Sequence, residues 1–491
     1  MITAIGNSIF AADAGPAFTH SLAVLDSFKH VHFIGICGTA MAAVAAAMKS
    51  RGHTVTGSDR NVYPPMSTFL EEQGIQVRVG YDESHVAEAP DLVVVGNAVS
   101  RGNPEVESVL NRKLRYCSLP ELLKEGFIRG KRALVVCGTH GKTTTTALLA
   151  WVFEHNQLNP NYLIGGIANN FGRGARFTDS EWFIIEGDEY DTAFFDKRSK
   201  FVHYLPEVAI INNLEFDHAD IFADLPAIQT SFRRLINIVP GNGLLLVNGD
   251  DANIAPLLDV KHCPVKRFGT GPGNDVRCEA SAFDESGSSF TLGAFRFRIP
   301  MIGELNVRNA MAVIACARHA GLTDEQIQSA FDTFKGIRRR QEVSGEVRGI
   351  TVIDDFGHHP TAIRETLKAL RHRYAGRRLW ALFEPRSNTT RRKVFQNDLV
   401  SALTEADHIV VAQVARLDQL SEGERLDPAR LMADIAAAGR ASAYLEDVEQ
   451  IVRHVVSEAA AGDVVCVFSN GGFDGIHKKL LARLSLETLP A

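Results

Sequence analysis

The 491-residue sequence is short of several things, and each shortage excludes a class of protein. It has seven cysteines, at 37, 117, 137, 263, 278, 316 and 466, and no two stand in a C-x-x-C pair. The count is odd and the spacing wide, so neither a disulfide framework nor a zinc site is expected, and a reducing cytoplasm is the simple reading. No run of about 18 apolar residues offers a membrane span. The first 30 residues lack a basic start and carry Asp13 and Asp26 within their apolar part, so no secretory signal is expected. The net charge is only −6, and the basic runs "RGKR" and "IRRRQE" are short. Nothing in that balance calls for a nucleic-acid or membrane partner. Oligomeric state is not written in the composition.

What is present, 45% hydrophobic and 22% charged residues, describes a soluble chain too long for one core. Short Val/Ile/Leu-rich runs alternate with helical stretches, which predicts mostly parallel α/β sheets. Three such units follow in series. The expected class is α/β, with a Rossmann-like N-terminal domain, a phosphate-loop central domain and a Rossmann-like C-terminal domain. The expected segments are an extension (1–29), then 30–128, 129–346 and 347–491.

The first unit opens with "HVHFIGICGTAMAAVAAAMKSRGHTVTGSD". A strand meets Gly35 and Gly38, a helix follows, and a second strand reaches Asp59. The loop does not read G-x-G-x-x-G, so a nicotinamide-dependent oxidoreductase is only an alternative. Glycines at a helix N-terminus favour an anion such as a diphosphate. Asp59 either holds a ribose or base, or simply starts a loop. Another strand, Leu92 to Val95, ends at polar Asn97.

The second unit carries "RALVVCGTHGKTTTTALLAWVFEH". A buried strand runs into a glycine loop that opens a helix. Loop amides suit phosphate oxygens, Lys142 suits the β/γ-phosphates and Thr143 suits Mg²⁺, so ATP is the expected nucleotide. The acid such a site needs is placed by "EWFIIEGDEYD" at Glu186 and by "EVAIINNLEFDHAD" at Asp217 and His218. In an open parallel sheet these strand ends share one edge with the glycine loop, so Glu186 and His218 are expected to converge on the ion held by Thr143. Asp250 and Asp251 read as surface.

In the third unit a strand ends at Asp354-Asp355, and His358-His359-Pro360 opens a helix. The two histidines lack a third ligand at zinc spacing, so no metal is expected there. "LWALFEPRSNTT" and "DVVCVFSNGGFDGIHKKLL" repeat the strand-loop-helix pattern, and the glycines after Ser469 suit a peptide end or another anion.

Taken together, five ordered motifs resemble those of the Mur ligases, ATP-dependent enzymes that build the peptide stem of peptidoglycan. They are Gly138-Thr139-His140-Gly141-Lys142-Thr143, Glu186, Asp217-His218, the segment from Gly303 to Asn309, and Arg340 with the Asp355-to-Pro360 element. The resemblance runs from about residue 30 to 485. Leu305 departs from it, standing where the family has histidine. The resemblance implies catalytic roles for Lys142, Glu186 and His218, with Thr143, Glu186 and His218 on Mg²⁺. It implies ATP held by residues Gly138 to Thr144 (Gly138, Thr139, His140, Gly141, Lys142, Thr143 and Thr144), together with Asn309, Arg340, Asp355 and His358. A UDP-sugar would lie on Gly35, Gly38, Asp59 and Asn97. A peptide would lie on Arg386, Ser387, Asn388, Ser469, Asn470 and Gly471. Some members carry a carbamylated lysine, and none stands just after "NLEFDHADIF", which favours the branch acting on UDP-N-acetylmuramate. The stretches "GSDRNVYPPMSTFLEEQGI", "EGDEYDTAFFDKRSKFVHYLPE" and "FEPRSNTT" resemble members that attach a preformed tripeptide, L-alanyl-γ-D-glutamyl-meso-diaminopimelate; the alternative is a ligase for L-alanine.

Overall fold

The computed structural model describes residues 27–486. All but the last three residues of the expected 1–29 extension lie outside the described residues. The chain divides into two compact units. One holds the residues up to Arg132 with Thr192–Lys197 and His203–Leu205, and the other holds the rest.

In the first unit, five strands line up in the order β3-β2-β1-β4-β5: β1 (His30–Ile34), β2 (Thr54–Asp59), β3 (Val77–Val79), β4 (Leu92–Val95) and β5 (Tyr116–Ser118). All four pairings are parallel. The strands are runs of buried β-branched residues, as a sheet covered on both faces requires. Helix α1 (Thr39–Ser50) leaves β1, so strand order reverses between β1 and β4, where the carboxyl ends open a crevice. Glu105, fully buried, fixes the floor: it accepts hydrogen bonds from Ser58 Oγ (2.6 Å) and faces His32 (3.1 Å) and His85 (2.6 Å). Phe194 and Phe195 close this core against Val93, Val95 and Val106.

The second unit contains two sheets. The larger has ten strands: β6 (Arg132–Cys137), β7 (Asn161–Ala168), β8 (Arg173–Arg176), β9 (Trp182–Glu186), β10 (Pro206–Ile211), β11 (Leu244–Asn248), β12 (Val265–Gly269), β13 (Val276–Asp284), β14 (Gly287–Leu292) and β15 (Phe295–Ile299). Their order is β15-β14-β13-β12-β11-β10-β6-β9-β7-β8. Parallel pairing runs from β6 through β10 to β13, while β13-β14-β15 is an antiparallel meander. Helices α2 (Lys142–His155) and α3 (Glu304–His319) share one core with this sheet. α2 is buried along nearly its whole length, which explains its four threonines: Thr146 turns its hydroxyl back onto the carbonyl of Lys142 at 2.8 Å.

The last sheet has six strands, β16 (Glu342–Val347), β17 (Ile350–Asp355), β18 (Leu379–Phe383), β19 (His408–Ala412), β20 (Ala441–Leu445) and β21 (Val464–Phe468), in the order β16-β17-β21-β18-β19-β20. Only β16 is antiparallel to its neighbour. Helix α4 (Pro360–Arg373) starts with Pro360 in its first turn and His359 as its cap. No helix among the described residues is long and apolar enough to cross a membrane.

Candidate active site

The second unit places three functional loops at one sheet edge. β10, β6 and β9 are adjacent, so the segments after Ile211, Cys137 and Glu186 emerge side by side. The glycine loop is fastened to its neighbour by reciprocal bonds. Asn213 accepts from the amide of His140 (2.7 Å) and donates to its carbonyl (3.1 Å), while the Thr139 hydroxyl donates to the carbonyl of Glu215 and accepts from its amide. Gly141 has φ +76, and a Cβ there would sit 2.3 Å from Oδ1 of Asn309. Only glycine meets both demands. Gly141 also offers no side-chain cap to α2, so the amides of Lys142, Thr143 and Thr144 face outward as donors for an anion.

The charged groups sit on this frame. The Thr143 hydroxyl donates to Glu186 Oε1 at 3.1 Å, and Glu186 Oε2 accepts from the amide of Gly165 at 2.7 Å. Burial raises the pKa of Glu186, against the opposing charge of Lys142. A half-buried carboxylate beside a hydroxyl suits Mg²⁺, which prefers oxygen ligands. Arg340 reaches Thr143 Oγ1 at 3.5 Å and lies over the ring of Phe356. Lys142 is held by Glu189 at 2.8 and 3.0 Å and by the carbonyl of Gly138 at 2.7 Å. Burial works against its charge, but Glu189 and Asp188 outweigh burial and raise its pKa.

His218, expected on the ion with Glu186, instead donates from Nε2 to Glu189 Oε1 at 2.8 Å. It adopts a left-handed backbone, φ 55. Burial disfavours its cation, yet Glu189 and then Asp217 raise its pKa. Glu189, 3% exposed, is not marked by the sequence: it follows β9 in an irregular loop, where no periodicity singles it out. Asp217 accepts from Thr389 Oγ1 at 2.7 Å and lies 3.9 Å from Nε2 of His358. Asn388 donates to Asp220 at 2.8 Å. The loop after β18 thus docks onto the segment after β10. Asp251, read as surface, instead accepts from the amide of Leu214 at 2.8 Å and helps hold that segment.

A cavity of about 660 Å³ opens beside the glycine loop, lined by His140, Asn212, Leu305, Asn309 and His359 among others. Asn309 is 2% exposed and lies between the loop and Asn212. Asp355 does not present free oxygens there: Oδ1 accepts from the amide of Gly357 (2.7 Å) and Oδ2 from that of Gln341 (2.9 Å). At the third sheet, Ser469 bonds Glu384 and accepts from the amide of Gly471 at 2.9 Å. A Cβ on Gly471 would meet the Arg386 guanidinium at 2.5 Å, so glycine there lets Arg386 lie flat over the loop. Asn470 has a buried, unpartnered Oδ1. Ser387 is occupied by the turn it caps, at Thr390.

In the first unit, the amides of Gly35 and Ile36 donate to Ser58 O at 2.8 and 3.1 Å, and the Cys37 amide donates to Asp59 Oδ2 at 2.9 Å. Asp59 Oδ1 accepts from Asn61. Asp59 therefore organises the loop. The donors left for an anion are the first-turn amides of α1 after Gly38, which carries no side-chain cap. Asn97 is exposed at the end of β4, beside β1.

Three family models match in order: "Mur ligase family, catalytic domain" over residues 30–129, "Mur ligase middle domain" over 136–317 and "Mur ligase, glutamate ligase domain" over 339–471. The UDP-N-acetylmuramate–L-alanyl-γ-D-glutamyl-meso-2,6-diaminoheptandioate ligase of Haemophilus influenzae is 46% identical over 94% of this chain and 100% of its own. The crystal structure of a murein peptide ligase from Psychrobacter arcticus superposes with a TM-score of 0.69 at 37% identity, over 94% of this chain and 100% of that one. The UDP-N-acetylmuramate–L-alanine ligase of Acetivibrio thermocellus is 33% identical over 92% of this chain and 95% of its own. Matched along its length by family models and by a full-length relative at 46% identity, the chain belongs to the Mur ligase family.

Proposed function

We infer that this chain is an ATP-dependent ligase that joins L-alanyl-γ-D-glutamyl-meso-diaminopimelate to UDP-N-acetylmuramate, a reaction of peptidoglycan recycling in the cytoplasm. The observation that carries the substrate choice is the 46% identity over the full length of a relative bearing that activity in its name, against 33% for the alanine ligase. The domain roles follow the expected segments: UDP-sugar on 30–128, ATP on 129–346, peptide on 347–491.

A carboxylate is a poor acyl donor, because its oxygen leaves badly. In the proposed reaction a muramoyl carboxylate oxygen takes the γ-phosphoryl group of ATP, and ADP leaves. The peptide amine then attacks the acyl carbon, loses a proton and expels phosphate. Catalysis of the first step is charge neutralisation and alignment. The first-turn amides of α2 receive phosphate oxygens, Lys142 moves from Glu189 to the β/γ-phosphates, and Arg340 stands on the same side through Thr143. Thr143 and Glu186 would hold Mg²⁺, which supplies positive charge to the phosphates. Glu189 keeps His218 oriented beside them. Arg386, lying over the Ser469–Gly471 segment, offers a cation to a peptide carboxylate. Docking of the 387–391 loop on Asp217 and Asp220 excludes water from the acyl phosphate. The test is acceptor choice: phosphate release with UDP-N-acetylmuramate, ATP and either the tripeptide or L-alanine.

A further inference from the structure

In sequence His358-His359 has no third ligand at zinc spacing, but in three dimensions His359 has two candidate neighbours. His140 from the glycine loop, Glu215 from the segment after β10 and His359 from the cap of α4 bring one ligand atom each to within 4.8 Å of the others. Nε2 of His140 lies 3.5 Å from Oε2 of Glu215, and Nδ1 of His359 lies 3.6 Å from that oxygen. Ligands around a tetrahedral zinc, with bonds near 2.0–2.1 Å, stand about 3.3 Å apart.

The protonation pattern sharpens this geometry. Nε2 of His359 faces the carbonyl of Phe216 at 3.2 Å, and a carbonyl only accepts, so that nitrogen carries the hydrogen. Nδ1 therefore presents a lone pair, which accepts from the amide of Thr361 at 3.2 Å and looks toward a carboxylate oxygen. A second ring nitrogen anchored on a backbone carbonyl is the arrangement that orients a metal-binding histidine. His359 is 5% exposed, and burial, then His140, lower its pKa to about 3, so the ring stays neutral. His140 is 7% exposed, and its Nε2 is buried with no hydrogen-bond partner while aimed at the same oxygen. Thr361 Oγ1 donates to Glu215 Oε2 at 2.7 Å and steadies the carboxylate. The lone pair of His359 Nδ1, the buried Nε2 of His140 and the Glu215 carboxylate converge on one point.

We propose that His140, Glu215 and His359 form a site for a borderline divalent cation, Zn²⁺ or Co²⁺, distinct from the oxygen pair Thr143–Glu186. Two imidazoles and one carboxylate select such ions over Mg²⁺. The fourth position opens on the nucleotide-side cavity. Binding draws His359 Nδ1 from the Thr361 amide to the ion and ties the glycine loop to the start of α4, pinning the third sheet's domain against the loop that receives phosphate.

Chelator-stripped full-length protein is titrated with Co²⁺ in millimolar Mg²⁺, which occupies the oxygen pair, and visible absorption is followed. The expected result is one saturating equivalent with the intense bands of low-coordinate cobalt, kept in His218→Ala. Affinity falls by at least about 100-fold in Glu215→Gln and in His359→Gln. No saturable site, or identical titrations in both variants, overturns the proposal. Zinc-edge anomalous diffraction from wild-type crystals needs no variant: a peak between the three side chains supports the site, and a peak elsewhere or none overturns it.

Discussion

Nζ of Lys142 lies 2.8 Å from Oε2 of Glu189, and His218 binds the other oxygen of the same carboxylate at 2.8 Å. One buried acid thus holds both Lys142, the cation we propose for the phosphates, and the histidine beside it. When phosphate oxygens arrive, Lys142 can exchange one anion for another, and Glu189 remains with His218.

Glu189→Gln separates these duties. Without the carboxylate, Lys142 is no longer restrained and His218 loses its charged partner. The expected outcome is an equal or lower KM for ATP with a kcat reduced about 10- to 100-fold, as for a misplaced catalytic group. Steady-state kinetics with varied ATP checks this. Wild-type kcat in the folded variant contradicts it.

Lys142→Ala removes the ammonium and leaves Glu189 with His218. Turnover should fall by about 10³-fold, the size of a lost charge contact in phosphoryl transfer, while circular dichroism stays unchanged. Near-normal turnover in the folded variant contradicts the phosphate-loop assignment.

Gly141→Ala tests the loop's backbone. A Cβ at φ +76 is strained and would meet Oδ1 of Asn309 at 2.3 Å. Strain of this kind costs about 1–3 kcal/mol, so the fluorescent-ATP dissociation constant should rise roughly 5- to 150-fold. Unchanged affinity contradicts the packing of Asn309 on the loop.

Much of this was legible in the sequence because it is local. Glycine, lysine and threonine at 138–143 form a loop whatever surrounds them, and apolar runs ending in Glu186 or Asp355 read as strand ends. Tertiary partners were not legible. Glu189 sits in an irregular loop, and Asp59 bonds its own loop because Cys37 folds back onto it. His140, Glu215 and His359 come together only because β10 lies next to β6 and α4 docks above both loops. No spacing rule reaches across such separations.

The buried neutral ring of His359 carries a pH signature. Its native pKa, about 3, lies below that of an exposed histidine, near 6.5. The unfolded chain therefore binds the extra proton, and this stability is full above about pH 6.5 and lost as pH falls toward about 3. At about pH 5 the loss is on the order of 2 kcal/mol. In chelator, the thermal midpoint of wild type should drop more between about pH 7 and about pH 5 than that of His359→Gln. Equal drops contradict the buried neutral ring.

Acceptor choice decides which ligase this is. Purified enzyme is given UDP-N-acetylmuramate and ATP with either L-alanyl-γ-D-glutamyl-meso-diaminopimelate or L-alanine, and the UDP-linked product is identified by mass spectrometry alongside phosphate release. The expected result is one phosphate per UDP-N-acetylmuramoyl-tripeptide formed, with L-alanine far poorer in kcat/KM. Preferential formation of UDP-N-acetylmuramoyl-L-alanine would contradict it.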